Sequence, residues 1–327
     1  MALGEFSLID RFFKRAAWPL GVDVGVGDDA AVMSVPSGHR LVACKDVLVQ
    51  GRHFFADVSP HTLGHKSLAV NLSDLAAMGA TPLGCLLGIG LPTVDETWLE
   101  SFVGGFSALA QRYDCPLVGG DTVGSDQGLF ISVTALGTLP DQQMGLLRSA
   151  AQVDDDIWVS GTLGAPDMAL RIMQGSVTDT HGRLPDLRTA LECPEPRVAL
   201  GQRLLGVAHA AIDISDGLTQ DLSHVLKASN VGAVIDIDCV PVHRELDVFD
   251  APLRQQAVLH GGDVYELCFT APTQARATIE QMSRELDLPL TRIGQVCAEQ
   301  RLYGRDQSGR SIDMATHGFD HFSGGDV

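Results

Sequence analysis

Asn71-Leu72-Ser73-Asp74-Leu75-Ala76-Ala77-Met78-Gly79 is the stretch on which the reading of the fold turns. It closes a helical pattern that starts at Ser59-Pro60, and Gly79 is the stop signal. Within it Asp74 stands beside Ala76, Ala77 and Gly79. A carboxylate in so apolar a segment needs a partner, because an unpaired charge removed from water is costly. The helix therefore carries both a core face and a chemical group.

Working outward, apolar β-rich runs flank this helix at Leu41–Val49 and Leu83–Leu91. Ala30–Val35 precedes the first, and Pro36-Ser37-Gly38-His39 between them predicts a hairpin turn. Asp95–Arg112 predicts an amphipathic helix, with Trp98, Phe102 and Phe106 at core spacing. Pro116–Gly120 and Leu129–Leu139 predict further strands around a polar loop, Asp121–Gly128. A turn-rich stretch follows, which places a domain boundary near residue 140. Beyond it Ile157–Ser160, Ala211–Ile214, Val231–Ile237, Glu266–Thr270 and Leu290–Cys297 read as strands, and Pro196–Ala208 and Leu218–Ala228 as helices. This mixed, strand-heavy order predicts two α+β domains, 1–140 and 141–327, rather than a doubly wound Rossmann sheet.

Bulk composition narrows the function classes. The formal net charge of −18 disfavours nucleic acid and anionic lipid as partners, because both carry phosphates. The same acidity is useful if carboxylates converge, since hard divalent cations take oxygen ligands. Seven cysteines are scattered singly with no C-x-x-C pair, which speaks against a disulfide framework or a zinc ribbon. Met1–Arg15 lacks the apolar run of a signal peptide, and no run reaches membrane-span length, so the expected location is cytoplasmic.

Aspartates stand beside glycines at predicted strand ends: Gly25-Val26-Gly27-Asp28-Asp29, Gly119-Gly120-Asp121, Asp213-Ile214-Ser215-Asp216-Gly217 and Gly261-Gly262-Asp263. Asp46 in its strand and Asp74 in its helix extend the set. Glycine lets the backbone turn sharply and approach a ligand, while the short aspartate holds a carboxylate rigidly. A lone Gly-Asp is usually only a turn. Adjacent carboxylates such as Asp28-Asp29 repel unless a cation or solvent relieves them, and the set as a whole points to magnesium and phosphate. The chain has no G-x-x-x-x-G-K-S/T loop, no kinase H-R-D or D-F-G, no G-x-S-x-G and no H-E-x-x-H.

At these residues the sequence resembles the thiamine-monophosphate kinase family, relatives of aminoimidazole ribonucleotide synthetase and selenophosphate synthetase. Gly4-Glu5-Phe6-Ser7-Leu8-Ile9, Gly25–Asp29, Asn71–Gly79, Gly119–Thr122, Ile212–Leu218 and Gly318-Phe319-Asp320-His321-Phe322 follow in the family's order over nearly the whole chain. The resemblance implies transfer of the γ-phosphate of ATP to thiamine monophosphate with Mg2+. It also implies a homodimer formed through the N-terminal sheets, a sandwich-like α/β C-terminal domain, and an active site between the domains. By position, Asp29, Asp46, Asp74, Asp121, Asp213 and Asp216 would bind metal. Gly120, Asp121, Arg148 and Ser215 would contact nucleotide, and His53, Asp263 and Phe319 the thiamine moiety. No covalent nucleophile is required, because the acceptor oxygen is already anionic.

This sequence departs from the family in three places, one of which, the turn after Arg148 without the usual Lys-Pro-Gly, reads as neutral loop variation. Cys44 and Lys45 replace hydroxyl residues before Asp46, with an ammonium expected to oppose a nearby cation. Gly261-Gly262-Asp263-Val264-Tyr265-Glu266-Leu267 stands where the family has Gly-Gly-Glu-Asp-Tyr-Glu-Leu, so one carboxylate is shortened and one lost. The rival readings are a superfamily enzyme acting on another substrate, and a nucleotide- or thiamine-phosphate-binding protein without turnover. The absence of any Cys before Cys44 argues against a selenophosphate synthetase.

Overall fold

The computed structural model describes residues 4–14, 18, 19, 21–306 and 308–314. Two compact units emerge: Met1–Leu75 with Ala80–Met144, and Ala76–Gly79 with Gly145–Val327.

The first unit runs α1 (Glu5–Phe12), β1 (Val22–Val24), β2 (Val32–Met33), β3 (His39–Val49), α2 (Pro60–Ala77), β4 (Thr81–Leu91), α3 (Glu96–Arg112), β5 (Leu117–Gly124) and β6 (Phe130–Pro140). Its main sheet has the order β3-β6-β4-β5, with β4 and β5 parallel and the other pairs antiparallel. The α2 helix buries Leu63, Leu68, Leu72 and Leu75, and α3 buries Leu99, Phe102, Phe106 and Leu109. Asp95 caps α3 by accepting from the N–H groups of Thr97 and Trp98. The two helices cross at backbone distance: a Cβ on Gly105 would lie 1.9 Å from the His61 carbonyl oxygen, and one on Gly64 2.0 Å from that of Phe102.

Two features depart from the sequence expectation. The predicted hairpin at residues 36–39 does not form, because β2 pairs with β1 in a separate two-stranded sheet while β3 pairs with β6. The turn itself exists, closed by His39 N–H donating to Pro36 oxygen at 3.1 Å. Turn chemistry thus fixes a reversal but not which strands pair. Asp121, expected in a loop, lies within β5, whose pairing with β4 runs on to Gly124.

The second unit runs β7 (Asp156–Ser160), α4 (Ala165–Met173), α5 (Leu184–Glu192), α6 (Val198–Leu204), β8 (Ala210–Asp213), α7 (Leu218–Ser229), β9 (Gly232–Asp236), α8 (Ala251–His260), β10 (Leu267–Ala271), α9 (Arg276–Leu286), β11 (Leu290–Cys297), β12 (Leu302–Arg305) and β13 (Ser311–Asp313). Its seven-stranded sheet has the order β13-β12-β9-β11-β7-β10-β8, and β12–β9 is its parallel pair. Alternation along β7 sorts the two faces. Ile157 and Val159 join one core cluster with Met168 of α4, Leu187 of α5, Leu222 of α7 and Val258 of α8. Trp158 stacks on Phe269 on the other side, and fully buried Asp156 takes the Arg276 guanidinium at the start of α9. Helices on both faces give the α/β sandwich-like layering that was expected, and the whole is an α+β fold of two domains.

Candidate active site

In the first unit, β3 and α2 bring Asp46 and Asp74 together around Cys44. The joining residue is Asn71, which is fully buried. Its side-chain oxygen accepts the Asp46 N–H at 3.1 Å, its backbone oxygen accepts the Cys44 thiol at 3.3 Å, and its amide donates to the Ser67 carbonyl at 3.2 Å. Helix and strand are thus locked in one register. The Cys44 thiol also donates to the Asp74 carboxylate. Burial, then the charges of Asp74 and Asp46, push that thiol well above its ordinary range, so it stays protonated and acts as a donor.

Lys45 does not oppose this pair. Successive strand residues point to opposite faces, and its ammonium reaches the Ser132 and Thr134 hydroxyls on β6, at 2.5 and 3.4 Å. Its charge is thus held on the face of β3 opposite Asp46. The β-ladder puts Gly120 in the row of Asp46, through Val133 and Leu87, with Asp121 one step beyond. Gly120 has φ 157°, and a Cβ there would lie 1.9 Å from the Leu87 oxygen, so no side chain fits. A small hollow at this run is floored by Ile9, Phe13 and Val26.

His53 folds back on the end of β3, where its Nδ1 accepts the Val49 N–H at 3.0 Å; a neutral ring then carries its proton on Nε2. Asp29 is exposed, and its N–H donates to the Asp28 carboxylate at 3.0 Å in a local turn.

In the second unit, β8 ends at buried Asp213, and the turn Ile214–Gly217 leads into α7. Asp221, on the first turn of α7, accepts the N–H groups of both Asp216 and Gly217 at 3.0 Å. Sequence reasoning missed it; the available signal was a second acidic residue five positions after Asp216, facing a glycine-opened turn. Burial, then the Asp216 and Asp213 carboxylates, push Asp221 up to about 7. Its folded value lies above the ordinary 3.8, so this group's stabilisation is complete below about 3.8 and is lost as pH rises through about 7. Asp221→Asn keeps an accepting oxygen without the charge. Without metal, the variant should lose the wild type's decline in stability between about pH 4 and pH 7, worth at most about 4 kcal/mol. Thermal melts with a chelator across that range check this, and an unchanged slope would contradict it.

Facing this turn, Asp263 donates its N–H to the Ser215 oxygen at 2.7 Å. Val264 is buried in the main core cluster, so the carboxylate lost there is replaced by packing. Arg148 is exposed, and its carbonyl accepts the Ser229 hydroxyl at 2.9 Å. Phe319, with the closing motif at 318–322, lies outside the described residues.

In each unit taken by itself, the chemistry of the donors is that of a hard divalent cation's ligands. They are carboxylate oxygens gathered close enough to raise the pKa values of their neighbours, with a protonated thiol that is a poor ligand. Among the described residues no group of three or more His, Cys, Asp or Glu side chains is placed to hold a metal ion.

Two mixed-sheet domains with aspartates at their turns define a class, and comparison with known proteins identifies it. Residues 27–139 match the AIR synthase related protein, N-terminal domain, and residues 152–307 match the C-terminal domain. Within that class the chain belongs to the thiamine-monophosphate kinase family. It is 40% identical over 334 residues to the thiamine-monophosphate kinase of Salmonella typhimurium, covering 99% of both chains. It is 42% identical to the crystal structure of thiamine-monophosphate kinase from Stenotrophomonas maltophilia, with a TM-score of 0.83, covering 90% of this chain and 93% of that one. A further structure, AaThiL complexed with AMPPCP and TMP, is 26% identical with a TM-score of 0.76, covering 98% and 99%. No helix among the described residues is long and apolar enough to cross a membrane.

Proposed function

We propose that this chain transfers the γ-phosphate of ATP to the phosphate of thiamine monophosphate, giving thiamine diphosphate and ADP. The observation that carries the reading is the Asp46–Asp74 pair, locked across β3 and α2 by Asn71, in a chain 40% identical to a thiamine-monophosphate kinase over its length. Asp29, Asp46, Asp74, Asp121, Asp213 and Asp216 would hold magnesium. When bound, the ions supply positive charge that offsets the phosphate oxygens during in-line transfer.

The chain's own residues bind and align. Gly120, Asp121, Arg148 and Ser215 contact the nucleotide, where glycine permits close backbone approach and the exposed guanidinium can meet phosphate oxygens with its planar fork. His53, Asp263 and Phe319 contact the thiamine moiety. Because the acceptor oxygen is already anionic, no side chain need remove a proton from it. The protein acts in the cytoplasm as a homodimer joined through the first unit's sheet. Leu41, Val47 and Leu86, exposed on that sheet, support the pairing.

An acceptor panel tests the assignment. With ATP and Mg2+, ADP should form with thiamine monophosphate and not with free thiamine, a ribonucleotide acceptor or selenide. ADP formed only with one of the others would transfer the chain to a different reaction.

A further inference from the structure

Between α8 and β10 the chain takes a constrained path. Asp263 and Tyr265 both lie in the left-handed region, at φ 59° and 56°. Residues with a side chain hold that conformation only where their surroundings enforce it, and such sites cluster at ligand clamps. Here the enforcement is visible. The N–H of Asp263 donates to the Ser215 oxygen at 2.7 Å, and the N–H of Tyr265 donates to the Ile214 oxygen at 2.8 Å. In return Ile214 N–H donates to the Glu266 oxygen at 2.8 Å.

The next residue anchors the segment from below. Glu266 is buried, and its carboxylate accepts the Arg197 guanidinium through Nε at 2.8 Å and through Nη2, together with the Ser160 hydroxyl. A bidentate, charge-assisted pair of this kind fixes geometry as well as adding energy. On this frame the Tyr265 hydroxyl reaches back and donates to the Asp263 carboxylate at 3.2 Å.

We propose that Tyr265 is a positioning residue for the phosphate acceptor: its hydroxyl fixes the Asp263 carboxylate against the thiamine moiety. The lacing to Ile214 and Ser215 keeps that carboxylate in register with the Asp213–Asp216 turn. This rests on the functional reading above, which assigns Asp263 to the acceptor. An aspartate side chain has one torsion fewer than a glutamate, and the tyrosine hydroxyl holds what remains.

Tyr265→Phe removes the hydroxyl and keeps the ring, so it separates positioning from packing. In the full-length protein, the KM for thiamine monophosphate should rise about tenfold, the scale of a lost hydrogen bond to a charged group. The KM for ATP, kcat and the melting temperature should stay near wild type. In an Asp263→Ala background, Tyr265→Phe should add nothing, because the group it positions is gone. Direct titration of each variant with thiamine monophosphate should reproduce the order of affinities without turnover. An unshifted KM for thiamine monophosphate, or equal rises in both KM values with a lowered melting temperature, would overturn the proposal. Wild-type protein that neither binds nor phosphorylates thiamine monophosphate overturns the functional reading and this proposal with it.

Discussion

Asp74→Asn leaves a folded protein that no longer transfers phosphate. Asp74 is half-buried on α2, accepts the Cys44 thiol and lies near enough to Asp46 that both charges raise that thiol's pKa. Asparagine has the same shape and still accepts from the thiol, so packing and the helix–strand lock through Asn71 survive. What disappears is one anionic oxygen ligand in a pair. Removing a single electrostatic stabiliser of a charged transition state typically costs about 10²- to 10³-fold in kcat. Asp74 would bind metal rather than merely donate a hydrogen bond, so the expected loss is at least about 10³-fold. The melting temperature should remain near wild type, and excess Mg2+ should not restore the rate. A variant within about tenfold of wild-type kcat at saturating Mg2+ would contradict the metal assignment.

The second large effect is on stability and arises where α2 meets α3. A Cβ added at Gly105 would fall 1.9 Å from the His61 carbonyl oxygen, a backbone atom that cannot rotate away. Gly105→Ala must therefore push two buried helices apart. Overpacking of this kind costs about 3 kcal/mol or more, which for a domain of this size lowers the melting temperature by roughly 6–12 °C. The neighbouring Gly104 is an internal control. A Cβ there finds only the His61 ring at 3.8 Å, an ordinary contact. Gly104→Ala should stabilise by about 0.5–1 kcal/mol through reduced backbone entropy. Because α2 carries Asn71 and Asp74, Gly105→Ala should also reduce activity, whereas Gly104→Ala should not. Equal melting temperatures for the two variants would contradict the crossing geometry.

The elements legible in the sequence were those whose signals are local. Helix α2 ends at Ala77, just before the Gly79 stop signal, and α3 runs Glu96–Arg112 where Asp95–Arg112 was expected. Partner choice was not legible. The Pro36–His39 turn reads as a hairpin in isolation, yet β3 pairs with β6, about ninety residues away in the chain. Such pairing depends on which faces the helices bury, and no short window contains that information.

The site shows the same division. The aspartates could be nominated from sequence because carboxylates beside glycines carry chemical meaning residue by residue. Their supports were less legible. Asn71, Asp221 and Glu266 act through hydrogen bonds to backbone groups or to side chains distant in the chain. Lys45 was in principle readable, since the period of two in a strand sets it opposite Asp46. Val264 was not, because a lost carboxylate and a gained core contact look alike until the core is known.

ATP and thiamine monophosphate react on this protein if the reading of the site is right. The most direct measurement is chromatographic analysis of the full-length protein incubated with ATP, Mg2+ and thiamine monophosphate. Thiamine diphosphate and ADP should form in equal amounts, dependent on Mg2+ and lost in Asp74→Asn. Binding of both compounds with no thiamine diphosphate formed would contradict that reading.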